Sequence, residues 1–240
     1  MNTTKHPPLD GRLALAASFI RPGSVICDVG TDHAYHPLWL LTHGVSSRAV
    51  ACDINEGPLQ SAREHAARYG CTDRMSFYCA DGLNGIDLEA EQVSDIVICG
   101  MGGELIARIL ANAEYSRKTG VRAVLQPMSS AEDLRASLAE NGYRIEDERL
   151  AFAAGRVYTC LSVVWDGLQR SFSPVQLLLG ESHICRGKDG GELFCEYLRR
   201  HVQSAEKRKN GLDRGGYDAS AQTELLRELY AIAEKEGVTL

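Results

Sequence analysis

Asp28-Val29-Gly30-Thr31-Asp32-His33-Ala34-Tyr35 is the stretch of this chain best equipped for chemistry. It puts two carboxylates four residues apart around a glycine, directly after the apolar run Val25-Ile26-Cys27, and an imidazole and a phenol follow. An apolar run that ends in an acid, a glycine and a polar loop and then opens a new apolar pattern reads as a strand feeding a helix. Ligands of open α/β sheets bind beyond the carboxyl ends of such strands. A dinucleotide loop needs G-x-G-x-x-G so that backbone can approach a pyrophosphate. Here Gly30 stands alone, and Asp28 and Asp32 would repel a diphosphate while attracting a ligand that carries a sulfonium and an ammonium. The loop therefore suits S-adenosylmethionine better than NAD. A plain strand-to-helix turn is the alternative.

Further acids and glycines recur at strand ends. Ala49 to Asp53 is a second buried strand ending in an acid, where a carboxylate can accept from ribose hydroxyls or cap the helix that follows. Met75 to Cys79 is a third, ending at Asp81-Gly82, where an acid can bond an adenine amine or simply make a turn. The fourth, Asp95 to Cys99, leads into Gly100-Met101-Gly102-Gly103, whose glycines allow close approach of backbone to a ligand. The candidate cofactor residues are thus Asp28, Gly30, Asp32, His33, Asp53, Ile54, Asp81, Gly82, Gly100 and Met101. The fifth strand, Arg122 to Leu125, ends in Gln126-Pro127-Met128, and Ser129 or Ser130 can cap a helix over Ala131 to Glu140.

The elements that hold these residues follow from periodicity. Leu13, Ala16, Ala17 and Ile20 predict a helix before the first strand, with Asp10 as its cap. Helices are expected from Pro37 to Thr42 and from Pro58 to Tyr69, the latter stopped by Gly70. Tyr143 to Leu150 and Arg156 to Trp165 read as two strands with no helix between them. Alternating β-α units followed by two such strands predict an α/β fold, a Rossmann-like seven-stranded methyltransferase sheet whose last strand returns antiparallel. The expected division is a catalytic domain over residues 1–166 and a helical one over 167–240. In the second, Gly191 to Asn210 and Ala219 to Glu236 should form an antiparallel helical hairpin around a turn at Gly211 to Tyr217.

Composition excludes several classes. The chain has 240 residues and a formal net charge of −6, which weighs against a nucleic-acid partner unless cations cluster. From Gly167 onward Lys plus Arg and Asp plus Glu both number eleven, so the excess charge lies in the first 166 residues. Arg199, Arg200, Lys207 and Arg208 gather on one predicted helix, as a phosphate-binding face or as an ordinary solvated one. None of the eight cysteines forms a C-x-x-C pair, so reduced thiols are expected and no metal site. No apolar window reaches the ~20 residues of a membrane span. Met1 to Asp10 do not read as a signal peptide, and a cytoplasmic setting follows.

Taken in order, Asp28 to Tyr35, Glu56-Gly57-Pro58 with Gln60-Ser61-Ala62, Asp81-Gly82-Leu83, Gly100 to Gly103 and Leu125-Gln126-Pro127 resemble the bacterial tRNA (adenine(22)-N1)-methyltransferase family across about Leu9 to Trp165. The resemblance implies an S-adenosylmethionine-dependent enzyme with a C-terminal coiled-coil-like hairpin that methylates N1 of an adenine in the D-arm region of tRNA. It makes tRNA the partner, with neither DNA nor membrane, and a monomer or weak homo-oligomer. Asp32 and Tyr35 become the catalytic candidates, Tyr35 by stacking on the base. Gly102, Gly103, Gln126, Pro127, Arg199, Arg200, Lys207 and Arg208 become the substrate-binding ones. Where the family usually continues Gln-Pro with Asn this chain has Met128, and any amide hydrogen bond from that position is missing. An oxidoreductase on a similar sheet, or a methyltransferase-fold RNA-binding or assembly protein without activity, would share parts of this pattern.

Overall fold

The computed structural model describes residues 6–186 and 191–240. Its centre is a seven-stranded sheet of β1 (Ser24–Val29), β2 (Ser46–Asp53), β3 (Met75–Cys79), β4 (Asp95–Gly102), β5 (Arg122–Ser129), β6 (Tyr143–Ala153) and β7 (Arg156–Trp165). The strand order is β3-β2-β1-β4-β5-β7-β6; the first five run parallel, and β7 is antiparallel to both of its neighbours. This is the seven-stranded arrangement the sequence predicts.

The centre of the sheet is buried on both faces because its strands run apolar through consecutive positions, as in Ile96-Val97-Ile98 of β4 and Ala49 to Cys52 of β2. Ile96 and Ile98 of β4, with Val50 and Cys52 of β2, join one core, whereas Val97, Ala49 and Ala51 join the other. Adjacent residues of a strand point to opposite faces, so an unbroken apolar run needs helices above and below it. Leu38 and Leu40 of α2 (Tyr35–Thr42) and Ala62 and Ala66 of α3 (Glu56–Arg68) cover one face. Ile106 and Leu110 of α4 (Gly103–Asn112), with Leu134 and Leu138 of α5 (Ala131–Glu140), cover the other. A further helix, α1 (Gly11–Ser18), begins where Asp10 accepts from the backbone N–H groups of Arg12 and Leu13, the cap expected from the sequence.

Three elements differ from expectation. No helix follows β3: residues 80–94 form turns that bury Leu83, Ile86, Leu88 and Val93. Ser130 occupies the capping position of α5, but with φ of 53° its side chain makes no capping bond, nor does Ser129 take its place. The glycine at 211 is no turn, since α8 (Glu192–Arg214) runs straight through it and ends at Gly215.

The C-terminal region consists of α6 (Pro174–Leu179), α7 (Glu181–Arg186), α8 and α9 (Ser220–Glu236). Ser173 and Gln176 close a capping box at the start of α6. The long pair is antiparallel: Gln222 donates to the Ala205 carbonyl and the Tyr230 hydroxyl to Glu206. The buried stripe of α8 is Phe194, Tyr197, Leu198, Val202 and Ala205. Its core also takes in Val157 of β7, so the helices are seated on the sheet. No helix among the described residues is long and apolar enough to cross a membrane.

Candidate active site

The loop after β1 is latched to its neighbour before any ligand is considered. The N–H groups of Gly30 and Thr31 both donate to the Cys52 carbonyl of β2, at 2.8 and 3.0 Å. Gly30 has φ of 72°, and a Cβ there would meet the Met101 methyl at 2.0 Å. The positive φ favours glycine, and any side chain there would have to displace the end of Met101. His33 and Ala34 then take left-handed conformations in succession, φ 58° and 56°. Two non-glycine residues in that region store strain, which structures retain chiefly at functional loops.

Beside this loop a cavity of about 350 Å³ opens at the carboxyl ends of β1 and β4. Asp28, Asp32, Tyr35, His36, Gly100 and Met101 line it, with Arg12, Leu13, Gly30, Cys99 and Met128. Asp28 is buried at its floor, and that burial pushes its carboxyl up to about 6. Asp32 stands at the rim with its side chain 85% exposed, 3.2 Å from the His33 ring. Burial raises the Cys99 thiol well above its ordinary value, so it is not a nucleophile at neutral pH.

Tyr35 is half-buried in the cavity wall and belongs to a group of three rings. It stacks on His65 of α3 at 5.1 Å and 20°, and His33 lies 5.7 Å from each. His65 in turn donates from Nδ1 to the His33 carbonyl at 2.9 Å, which ties the strained loop to the helix. An aromatic wall next to an acid-lined cavity can receive a planar heterocycle.

The remaining candidates divide by location. Asp53 and Asp81 follow the ends of the adjacent strands β2 and β3 but lie outside the lining of this cavity. Asp53 accepts from the Asn55 N–H at 2.8 Å, whereas the capping position of α3 falls to Asn55, which makes no side-chain cap. Ile54 is 62% exposed beside it. Gly82, with φ of 63°, packs against Ile109. Gly103 uses its missing side chain within the protein: a Cβ would lie 2.0 Å from the Ser130 carbonyl oxygen, so the start of α4 and the residue that precedes α5 are what approach there. Gly102 would meet only Ser129, at 3.4 Å.

Gln126 is wholly buried and engaged at both ends. Its carbonyl accepts from Arg12 at 2.9 Å and from the Gly100 N–H at 3.3 Å, and its amide donates to the Pro127 carbonyl. It holds the ends of β4 and β5 together and presents no free amide to a substrate. Met128, in place of an amide residue, accepts from Arg12 through its sulfur at 3.1 Å.

Sequence reasoning did not assign Arg12, Leu13, His36, Cys99 or Met128 to this site, and of these Arg12 brings a cation and His36 an imidazole. Arg12 is the one cation in the lining, held by Asp10 and stacked over Tyr158 at 5.6 Å. It comes from a helix that the sequence marks only as structural. His36 stands one residue beyond Tyr35, where the sequence offers only a histidine in a helix start.

On the hairpin the basic residues separate into two kinds. Arg199 donates to the Thr239 carbonyl, and Arg200 pairs with Glu196 and the Gly155 carbonyl, so both are spent within the protein. Lys207 and Arg208 are exposed.

A profile of a family described as "Methyltransferase domain" matches residues 9–161. A curated Bacillus subtilis protein named tRNA (adenine(22)-N(1))-methyltransferase is 34% identical over 153 residues, covering 64% of this chain; the matched region spans 63% of that relative's length. A Streptococcus pneumoniae crystal structure, provisionally named a tRNA (m1A22) methyltransferase and solved in complex with S-adenosyl-L-methionine, superposes with a TM-score of 0.80 at 30% identity, over 94% of this chain and 99% of that one. The crystal structure of the Bacillus subtilis M1A22 tRNA methyltransferase aligns with a TM-score of 0.76 at 27% identity, over 96% and 98% of the two chains.

Proposed function

The chain belongs to the methyltransferase-domain family and, within it, to the family of tRNA (adenine(22)-N1)-methyltransferases, and from that premise we propose that it methylates N1 of adenine 22 in the D-arm region of tRNA, with S-adenosylmethionine as donor. The observation that carries the reading is the cavity beside Gly30, whose charged lining is two carboxylates and one guanidinium.

That lining fits the donor's charge pattern. Asp28 and Asp32 favour a sulfonium and an ammonium, and Arg12 is the cation for a carboxylate. Buried atoms without partners support the fit: both ring nitrogens of His36, a residue of the lining, make no hydrogen bond in the protein, and such groups are expected to find one in a ligand or water. Asp53, Ile54, Asp81 and Gly82, along the neighbouring strand ends, are assigned to the adenosine half. The donor, when bound, supplies an electrophilic methyl on a positively charged sulfur.

Adenine N1 carries a lone pair at neutral pH, so the chain needs no general base to remove a proton before attack. Its task is positioning. The base must leave its stack, at a cost of a few kcal/mol, and an aromatic contact offsets this. Tyr35, held by His65, is the stacking partner in this reading. Asp32 stabilises the positive charge that the ring gains on methylation. Lys207 and Arg208 of the hairpin contact phosphates, the folded sheet region over 1–166 carries the chemistry and the helical region over 167–240 holds the RNA. The setting is cytoplasmic.

The test is incubation of the purified chain with unmodified tRNA and labelled S-adenosylmethionine, followed by location of the modified nucleotide. Label at N1 of adenine 22 supports the proposal, and label elsewhere corrects the site. Binding of tRNA without transfer favours a non-catalytic RNA-binding or assembly role. Thermal stabilisation by NADH but not by S-adenosylmethionine would favour an oxidoreductase.

A further inference from the structure

His36 is the buried ionisable group in the cavity with no assigned role. Only 4% of it is exposed, neither ring nitrogen has a partner, and Nδ1 lies 4.0 Å from the Asp28 carboxylate. Leaving a buried donor unsatisfied costs roughly 1–3 kcal/mol. The ring is about an ångström too far to bond the carboxylate, since such bonds form near 2.7–3.2 Å. A shift of about an ångström would bring Nδ1 within bonding distance of the carboxylate.

Resting on the methyl-donor reading above, we propose that His36 is a positioning residue for Asp28: when a cationic donor enters the cavity, the ring closes its N–H onto the carboxylate and holds it ionised and aimed at the ligand. Every charged group around the pair bears on this. Asp28 comes from β1, Arg12 from α1, Asp32 from the loop and the Cys99 thiol from β4. Arg12 is already paired with Asp10, Asp32 projects into solvent and Cys99 stays protonated; besides the Thr31 hydroxyl, which holds the Asp28 carboxyl down against burial, His36 is the donor free to turn to it.

Burial pushes His36 down to about 4 and Asp28 up to about 6. Through the range around pH 6 the imidazole is neutral, with a hydrogen to donate, while the carboxylate is the group that changes charge. Donor entry then releases the Asp28 proton to solvent at acid pH and none at pH 8. Affinity falls up to tenfold per pH unit below the acid limb.

The experiment is calorimetry of S-adenosylmethionine binding to the full chain from pH 5 to 8, in two buffers of different ionisation heat, for wild type, His36→Leu and His36→Gln. Gln keeps an N–H donor and Leu does not. The proposal expects the Leu variant to lose about tenfold in affinity at pH 7 with its acid limb moved to higher pH, and the Gln variant to stay within about threefold of wild type. Leu and wild-type curves that coincide overturn it. Should the Leu variant not fold, the 15N shifts of the wild-type His36 ring decide: a change at Nδ1 on adding the donor supports the closure, and an unchanged ring rejects it. A wild-type chain that binds no S-adenosylmethionine at any pH removes the methyl-donor reading and this proposal together. Binding with an unshifted limb in the Leu variant removes this proposal alone.

Discussion

Arg135 on α5 grips Glu148 on β6 through Nε at 3.0 Å and Nη2 at 2.7 Å, with side chains only 2% and 1% exposed. Nη1 donates to the carbonyls of Leu177 and Leu178 in α6, and Nη2 also reaches the Tyr197 hydroxyl of α8 at 3.3 Å. Thr159 and His183 complete the carboxylate's surroundings. Burial pushes the Glu148 carboxyl up, but the Arg135 charge and the hydrogen bonds from Arg135 and Thr159 outweigh it and hold the group below its ordinary value. This cluster fastens the helical region to the sheet.

Arg135→Met leaves a buried carboxylate uncompensated and should destabilise the protein by about 3–5 kcal/mol. The double variant Arg135→Met with Glu148→Leu removes both charges and should recover most of that loss. Urea denaturation of the four proteins of the cycle measures it; a double variant no better than the single one would deny the pair its energetic coupling.

Acid should weaken the fold well before ordinary carboxylates protonate. Burial lowers His36, His183 and His201 from 6.5 to about 4 each. Their folded values lie below the unfolded one, so the unfolded chain binds more protons between about 4 and 6.5. The stability they confer is full above 6.5 and is lost as pH falls through that window. Asp28 acts oppositely: raised from 3.8 to about 6, it costs stability above pH 6, and the cost is relieved on acidification. Three groups against one leave a net loss between pH 6 and 4, at most about 1.4 kcal/mol per pH unit for each unmatched proton. Denaturation midpoints at pH 7 and 5 check the sign, and equal midpoints would contradict it.

Asp32→Ala should abolish methyl transfer, a loss of a hundredfold or more, while changing stability by less than about 0.5 kcal/mol. Its side chain is 85% exposed and meets only His33, so the fold does not depend on it. Turnover on tRNA near the wild-type rate would remove Asp32 from the catalytic role.

Gly30→Ala and Gly103→Ala should fail in different ways. At Gly103 the new methyl meets backbone, the Ser130 carbonyl, which cannot move aside cheaply, and a loss of roughly 1–3 kcal/mol in stability is expected. At Gly30 it meets the flexible end of Met101 and an unfavourable positive φ, costing about 1–2 kcal/mol. There the displaced Met101 should also weaken donor binding about tenfold. Melting curves with and without S-adenosylmethionine separate the two; donor affinity unchanged in Gly30→Ala would free that loop from the site.

Strands that carry their own signal are legible in the chain. β1, β3 and β7 span the residues their apolar and β-branched runs predict, and α5 lies where its periodicity places it. β4 and β5 extend beyond expectation, through Gly100 to Gly102 and through Gln126 to Ser129, because pairing with one another keeps extended residues that have no strand propensity of their own. The opposite override carries α8 through Gly211: burial of Phe194 to Ala205 against α9 and the sheet outweighs the ~1 kcal/mol cost of one glycine.

The sequence by itself determined the class of fold, the acid-glycine loop after β1 and the charge that loop prefers, since these are properties of neighbouring residues and of local periodicity. Tertiary structure alone decided which side chains share the cavity. It brought Arg12 from α1 and Met128 from β5 to the rim, turned Gln126 inward as a brace, and left His36 unpartnered beside Asp28. Contacts between residues a hundred positions apart depend on how helices seat on a sheet, and no local pattern of residue types encodes that seating.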